Sequence, residues 1–224
     1  MGLRRMSNNF VELPRLYPIL DADALARTGV PLVLAARTLY DAGVRWVQYR
    51  DKRASDAEVV ERMRALRTIF PAGEAALLVN DRVHLCDEVG ADGVHIGQED
   101  MAPAKARRML GAGKLLGVST HKVTQLRAAV KTRAADYLAI GPVYGTGSKE
   151  NPDPVLGLEG VRAARAITVL PLVAIGGITA ETAREVLEAG ADAVAVISAL
   201  LPPAGHEAEL DMSQTVRDFL HHLR

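Results

Sequence analysis

Eight short apolar runs recur along this chain of 224 residues and constrain its fold more than any other feature. In chain order they are RLYPIL, VRWVQY, AALLVN, DGVHIG, KLLGVS, DYLAIG, PLVAIG and AVAVIS. They lack strict alternation of polar and apolar residues, and several are rich in Val, Ile and Leu. This pattern is typical of strands that are covered on both faces, as in a parallel sheet.

Helical patterns lie between the apolar runs. Ser55 and Glu58 have capping-box spacing and open an amphipathic segment that extends to Phe70. Thr179 is a candidate N-cap for a second clear helix, which Gly190 ends. Strands and helices are therefore predicted to alternate.

A weak internal repeat supports this alternation. The stretches AGVRWVQ, GADGVHIG, AADYLAIG and GADAVAVIS each read as a helix end, a short turn and a strand. No Pro/Gly-rich linker or break in composition divides the chain. The pattern predicts an α/β fold of one domain, a (β/α)8 TIM barrel over residues 15–224, preceded by an N-terminal extension of residues 1–14. The alternative, an open doubly wound sheet, lacks its G-x-G-x-x-G fingerprint.

Charge and cysteine content limit the partners and the compartment. Lys plus Arg and Asp plus Glu number 27 each, so no global field favours nucleic acid or a membrane surface, and any anion site is local. The N-terminus lacks the apolar stretch of a signal peptide, and no apolar run reaches the length of a membrane span. One cysteine, Cys86, fits a reducing compartment, so a cytoplasmic protein is expected.

Polar residues follow the predicted strands, at the end of a barrel where active sites are built. They form one rim of candidate site residues. In strand order they are Gln48, Arg50 and Lys52; Asn80 and Asp81; Asp100; Ser119 and His121; Thr146, Ser148 and Lys149; Gly176 and Gly177; and Ser198.

The rim residues suggest an anion site with a metal. Arg50 and Lys52 are two positions apart at a strand end and suit an oxyanion, although a solvated loop of alternating charges explains them too. Asp81 and Asp100 could cap helices. A diphosphate facing these cations would usually bring Mg2+, which one or two carboxylates hold together with phosphate oxygens.

Other strand ends add a second candidate anion site and a candidate proton carrier. Gly176 and Gly177 precede a predicted helix, where backbone N–H groups can approach a phosphate, although tight turning alone also explains them. His121 is placed to transfer protons, whereas His95 lies within a strand and reads as a hydrogen-bonded core residue. The stretch GTGSKENP at 145–152 lacks P-loop spacing.

Several motifs in the same order resemble the thiamine phosphate synthase family. They are VQYRDK, LLVNDRVHLCDEVGADGVHIGQED, LLGVSTH, YLAIGPVYGTGSKE, GLEGV, VAIGGI and GADAVAVIS, and the resemblance covers nearly the whole chain. It implies a barrel enzyme that joins 4-amino-5-hydroxymethyl-2-methylpyrimidine diphosphate to a thiazole phosphate, or its carboxylate form, with release of pyrophosphate. It also implies Mg2+ as cofactor.

The resemblance assigns roles position by position. Arg50, Lys52, Ser119 and Lys149 would act in catalysis, and Asp81 and Asp100 would hold the metal. The pyrimidine diphosphate would contact Gln48, Tyr49, Arg50, Asp51, Lys52, Asn80, Ser119 and Lys149. The thiazole phosphate would contact Thr146, Gly147, Ser148, Gly177, Ile197 and Ser198.

Three positions depart from the family pattern, and two other functions stay open. Tyr49 replaces an aliphatic residue or Phe, Gly145 replaces a common proline, and Ser148 replaces a threonine. A thiazole tautomerase of the same fold would use His121 for proton transfer, but it would have no use for diphosphate cations and metal aspartates. A non-catalytic paralogue would bind phosphate ligands without turnover. The sequence leaves the oligomeric state open, a homo-oligomer included.

Overall fold

Eight parallel strands pair side by side in chain order and close into a barrel, because β8 also pairs with β1. This computed structural model describes residues 11–147, 153–203 and 208–223. It confirms the predicted (β/α)8 barrel and all eight predicted strands. The strands are β1 Leu16–Asp21, β2 Trp46–Arg50, β3 Ala76–Asn80, β4 Gly93–Ile96, β5 Leu115–Thr120, β6 Tyr137–Ile140, β7 Leu172–Ile175 and β8 Ala193–Val196.

Helices surround this barrel. They are α1 Ala22–Thr28, α2 Leu32–Asp41, α3 Asp56–Ile69, α4 Pro103–Leu110, α5 Val123–Thr132, α6 Gly157–Arg165, α7 Ala180–Glu188 and α8 Ala208–His222. Short 3-10 helices occupy Val83–Leu85 and Ser198–Leu200. The Ser55–Glu58 capping box is present at the start of α3, and Thr179 is the N-cap residue of α7, as predicted.

The stretch after β3 carries the 3-10 helix Val83–Leu85 followed by turns. Cys86 is buried there, in an apolar environment that raises the pKa of its thiol to about 11. Helix α8 begins at Ala208 and packs against α2 and α7.

Side chains alternate between the two faces of each strand and so form two apolar layers. In β2, Val47 and Tyr49 point outward into the large cluster between the strands and the helices. Trp46 points inward, into a smaller cluster at the N-terminal ends of the strands, where Tyr17 and Tyr137 meet its ring edge-on. The inward positions further along the strands are therefore free to build a site at the other end.

Arginine–aspartate clamps close the N-terminal end of the barrel. The Asp of each GAD or AAD repeat accepts the backbone N–H of the preceding strand and pairs with an Arg from a helix. In the clearest case, Asp136 accepts the Leu116 N–H at 2.7 Å and pairs with Arg107, which also donates to loop carbonyls. The same arrangement joins Asp92 to Leu77 and Arg67, and Asp192 to Leu172 and Arg165. The Asp of the repeat thus connects the preceding strand to a helix.

The described part of the N-terminal extension lies against this end. Val11 is buried in the inner cluster, and Leu13 packs against it. Within the described residues, no helix is both long and apolar enough to span a membrane.

Candidate active site

A cavity of about 830 Å³ opens at the C-terminal ends of the strands. Most of the predicted rim residues meet there. Those that line it are Gln48, Arg50, Lys52, Asn80, Asp81, Asp100, Ser119, His121, Thr146, Gly147, Gly176, Gly177, Ile197 and Ser198. One common chamber therefore lies at the strand ends, and residues in or next to all eight strands line it.

Strand β2 supplies two inward side chains to the cavity, Gln48 and Arg50. The side-chain oxygen of Gln48 is buried and has no hydrogen-bond partner among the described residues. A buried acceptor of this kind is costly unless a ligand donor satisfies it. The Arg50 guanidinium is paired with Asp21, which is 4% exposed and also accepts the Ala24 N–H at 2.8 Å. The buried carboxylate of Asp21 thus holds the Arg50 guanidinium in place.

Lys52 and two carboxylates form the charged side of the cavity. The Lys52 ammonium lies 2.6 Å from Asp81 Oδ2. Burial, followed by a hydrogen bond shared with Asp100, raises the pKa of Asp81 to about 6. Burial also opposes ionisation of Asp100, but hydrogen bonds from Asp81 and from the Gly97 N–H outweigh it and lower the pKa of Asp100. Two oxygen-rich side chains therefore share this corner.

The alternative that these aspartates cap helices does not fit. Asp81 has a φ of 60° and precedes Arg82, which is the residue at the N-cap of the 3-10 helix. Asp100 accepts the Gly97 N–H at 2.7 Å inside its own loop, and α4 has no side-chain cap. Both carboxylates instead face the cavity.

This carboxylate pair suits a hard cation. Mg2+ in proteins is commonly held by one or two carboxylates, with waters and substrate phosphates completing its shell. No group of three or more His, Cys, Asp or Glu side chains that could hold a metal exists among residues 11–147, 153–203 and 208–223. The donor set therefore fits Mg2+ shared with a phosphate ligand, and it lacks the His and Cys of a zinc site.

Strands β4 and β5 contribute histidines with different environments. His95 is buried, with Nδ1 2.9 Å from Tyr137 Oη and Nε2 2.7 Å from Ser119 Oγ. Burial lowers the pKa of His95 to about 4, so the ring is neutral near pH 7. His121 Nδ1 lies 2.7 Å from the Gly141 carbonyl, an acceptor, so Nδ1 carries the proton. His95 is the core residue that the sequence predicted, and it also lines the cavity.

The loops after β6 and β7 fit together at the glycine pair. A Cβ at Gly176 would lie 2.5 Å from Pro142 Cβ, and one at Gly177 would lie 2.3 Å from the Gly145 carbonyl oxygen. Both glycines also have positive φ, 105° and 63°. Tight packing therefore explains why glycines stand here, while both still line the cavity beside the N-terminus of α7.

Tyr49 and Asp51 were expected to contact the pyrimidine diphosphate, but neither residue lines the cavity. Tyr49 points to the opposite face of β2 from Gln48 and Arg50, because strand residues alternate, and Asp51 follows the strand. Tyr49 is 1% exposed, and its hydroxyl donates to Asp51 Oδ2 at 3.0 Å. Asp51 also pairs with Arg62 of α3, outside the cavity.

Two predicted residues, Ser148 and Lys149, lie outside the described residues. Several lining residues were not predicted, among them Ile19, Gln98, Gln125 and Asp153. Gln98 Nε2 donates to the Ser119 carbonyl at 2.6 Å and ties the loop after β4 to β5. Asp21, the partner of Arg50, was missed although it ends β1, and the strand-end rule would have found it.

Comparison with known proteins places the chain in a family. A family model described as thiamine monophosphate synthase matches residues 16–200. The thiamine-phosphate synthase of Koribacter versatilis is 48% identical over 193 residues, 85% of this chain and 90% of that protein. The one from Chloroflexus aurantiacus is 43% identical over 187 residues, 84% of this chain and 85% of that protein.

A solved structure extends the likeness to three dimensions. Thiamine phosphate pyrophosphorylase from Pyrococcus furiosus superposes with a TM-score of 0.79 at 33% identity, covering 93% of this chain and 95% of the other. The family model, which spans residues 16–200, takes in all eight strands. The chain therefore belongs to the thiamine monophosphate synthase family of enzymes.

Proposed function

We propose that the cavity joins an aminopyrimidine diphosphate to a thiazole phosphate, forming thiamine phosphate and pyrophosphate. The observation that carries the proposal is the joint lining of one chamber by Arg50, Lys52, Asp81 and Asp100. Two cations and two carboxylates at strand ends are the groups that a diphosphate with a divalent metal requires. Both substrates are small molecules, and a cytoplasmic location is part of the same proposal.

Strand β2 and its neighbours are proposed to hold the pyrimidine diphosphate. Arg50 is held by buried Asp21 and offers its remaining donors to phosphate oxygens. The unpaired oxygen of Gln48 suits a ligand N–H, such as the amino group of the pyrimidine. Asn80 and Ser119 add polar contacts from the next strands.

Charge separation is the main task of the reaction. In the dissociative substitution that the family resemblance implies, pyrophosphate leaves first and the aminopyrimidine ring stabilises the remaining methylene cation. The thiazole nitrogen then attacks that carbon. Negative charge grows on the leaving group, so Arg50 and Lys52 bind most strongly in the transition state. When bound by Asp81 and Asp100, Mg2+ would neutralise part of that charge.

The loops after β6, β7 and β8 are proposed to hold the thiazole phosphate. These loops contribute Thr146, Gly147, Gly177, Ile197 and Ser198 to the cavity lining. Loops after the last two strands hold phosphate in many barrels of this kind. Ser148 and Lys149 complete the proposal on motif grounds alone, with Lys149 toward the diphosphate.

An end-point assay tests the function. Purified protein is incubated with Mg2+ and both substrates, and pyrophosphate and thiamine phosphate are quantified. Equal amounts of the two products, absent when either substrate is omitted, are expected. Isomerised thiazole carboxylate without pyrophosphate would identify a tautomerase instead. Ligand binding without any product would identify a non-catalytic phosphate-binding protein, and either result would overturn the proposal.

A further inference from the structure

A chain of buried side chains runs from the inner core to the cavity. Tyr17 Oη lies 2.8 Å from Tyr137 Oη, which lies 2.9 Å from His95 Nδ1. His95 Nε2 then lies 2.7 Å from Ser119 Oγ at the cavity wall. Both tyrosines are 2% exposed or less, so their hydroxyl groups do not form hydrogen bonds with bulk water.

Gly117 of β5 makes room for this chain. A Cβ at that position would lie 2.1 Å from Tyr137 Cζ and 2.4 Å from His95 Nδ1. The backbone of β5 thus lies directly against the contact between the two rings. The geometry of the chain is set by the barrel itself rather than by mobile loops.

The protons of the chain can be arranged in two directions. If Ser119 donated to His95 Nε2, His95 would donate from Nδ1 to Tyr137, and Tyr137 would donate to Tyr17. The Tyr17 proton would then have no acceptor, since among the described residues its hydroxyl meets only Tyr137 and the indole of Trp46, whose N–H can only donate. A buried donor left without an acceptor is strongly disfavoured.

In the opposite direction every proton has an acceptor. Tyr17 donates to Tyr137, Tyr137 donates to Nδ1 of His95, and the proton on Nε2 is donated to Ser119 Oγ. The hydroxyl proton of Ser119 is then directed away from His95. The neutral state of the ring, which follows from the lowered pKa of His95, agrees with this arrangement.

We propose that His95 is a positioning residue that the buried hydroxyl of Tyr137 locks in the Nε2–H tautomer, so that Ser119 acts as a hydrogen-bond donor to the substrate. The assignment of that substrate as the pyrimidine diphosphate rests on the proposed function. The assignment of the tautomer does not depend on that function. Ser119 would recognise an acceptor atom, either a ring nitrogen or a diphosphate oxygen, and would disfavour a ligand that presents an N–H group at that point.

The tautomer can be measured by nitrogen-15 NMR on wild-type protein with labelled histidine, without substrate. The His95 signals are identified by their loss in His95→Gln. A directly bonded proton on Nε2 and a lone-pair signal from Nδ1 are expected. Tyr17→Phe is the matched control: it keeps the Tyr137 donor and leaves the tautomer unchanged, whereas Tyr137→Phe removes that donor and weakens the preference. A wild-type ring protonated mainly on Nδ1 would overturn the proposal.

Kinetics separate positioning from packing. A glutamine at position 95 can still donate to Ser119 from a place close to Nε2, whereas leucine cannot. We expect His95→Leu to lower kcat by roughly 10- to 100-fold with little change in KM, and His95→Gln to recover most of that loss. Equal loss of kcat in both variants, at matched melting temperatures, would contradict the positioning role. Failure of the wild type to form thiamine phosphate would reject the proposed function and leave the NMR result standing.

Discussion

The two ends of this barrel both carry arginine or lysine paired with aspartate, but they use the pairs differently. At the N-terminal end, Asp136 is engaged by the Leu116 N–H and by Arg107, whose other donors reach loop carbonyls. At the C-terminal end, Lys52 and Asp81 are paired beside an open cavity. The first arrangement is complete in itself, whereas the second leaves ionic groups facing a space that a ligand can enter.

The difference also appears in what each pair costs. Burial and the neighbouring Asp100 raise the pKa of Asp81 to about 6, so its carboxylate form is disfavoured in the folded protein. Two neighbouring carboxylates do not stabilise a fold unless a cation binds between them and offsets their repulsion. The clamps stabilise the barrel, whereas the paired carboxylates of the rim destabilise the folded protein when no ligand is bound. Substitutions at the two ends should therefore separate stability from turnover.

The largest effect is expected at the rim, from Asp81→Asn. Asparagine keeps the size of the side chain and tolerates the left-handed backbone at this position, where φ is 60°. Loss of the charge should lower kcat by roughly 100-fold or more, because the charge on the leaving group is less well neutralised. Steady-state kinetics checks this, with the melting temperature as a control for folding.

A surface aspartate gives the matched control for that variant. The side chain of Asp87 is 81% exposed and lies 3.5 Å from Lys114 Nζ. Asp87→Asn should leave kcat within roughly twofold of wild type, as exposed pairs contribute little. If Asp81→Asn retained similar activity, the metal role of this end would be wrong.

At the opposite end, Asp136→Ala should affect stability instead. The change leaves Arg107 without its carboxylate and the Leu116 N–H without its acceptor. We expect a loss of about 2–3 kcal/mol in the free energy of unfolding, which lowers the melting temperature by roughly 5–10 °C. Turnover of the folded protein at moderate temperature should be nearly unchanged.

The exposed Arg162–Glu159 pair serves as control for the clamp. Glu159 is 86% exposed, so Glu159→Ala should change the free energy of unfolding by about 0.5 kcal/mol or less. Calorimetry on both variants makes the comparison. Similar melting temperatures for the two would show that the clamp is no stronger than a surface pair.

A smaller effect on both properties is expected from Gly177→Ala, since this glycine serves the rim and the packing of two loops. The added methyl would lie 2.3 Å from the Gly145 carbonyl oxygen, on a backbone with φ of 63°. Strain of about 1–2 kcal/mol should lower the melting temperature and raise the KM for the thiazole phosphate. Thermal melts and substrate titrations would detect both changes, and wild-type values for both would exclude the tight approach of these loops.

The smallest effect is expected from Gly145→Ala in the same contact. A Cβ at Gly145 meets nothing within 4 Å, and its φ lies outside the left-handed region. Turnover and KM should stay within roughly twofold of wild type. A large loss would show that the loop needs glycine at this position.

The sequence predicts the barrel well because strand runs and helix caps are local signals. All eight apolar runs became strands, and the rim followed from the rule that barrel sites lie at strand ends. Tyr49 and Asp51 do not line the cavity, for a reason that is also local. The motif groups them with their neighbours, whereas Tyr49 alternates with Gln48 and Arg50 along β2 and Asp51 accepts the Tyr49 hydroxyl.

Sequence patterns did not predict the side-chain contacts between residues that are far apart in the chain. The aspartates of the repeat were visible, but their arginine partners lie 25 to 29 residues away on helices. The link from Tyr17 through Tyr137 and His95 to Ser119 joins four strands. Such contacts depend on the closed barrel and its register, which no local periodicity specifies.

The metal dependence of pyrophosphate release tests the proposed metal role of Asp81 and Asp100. Wild-type protein and both substrates are mixed with Mg2+ or with excess chelator, and pyrophosphate is followed in time. We expect pyrophosphate release in step with thiamine phosphate when Mg2+ is present. With chelator we expect the rate to fall at least roughly 100-fold, and added Mg2+ to restore it. Equal rates in both conditions would contradict the proposal that Asp81 and Asp100 hold a metal for the leaving diphosphate.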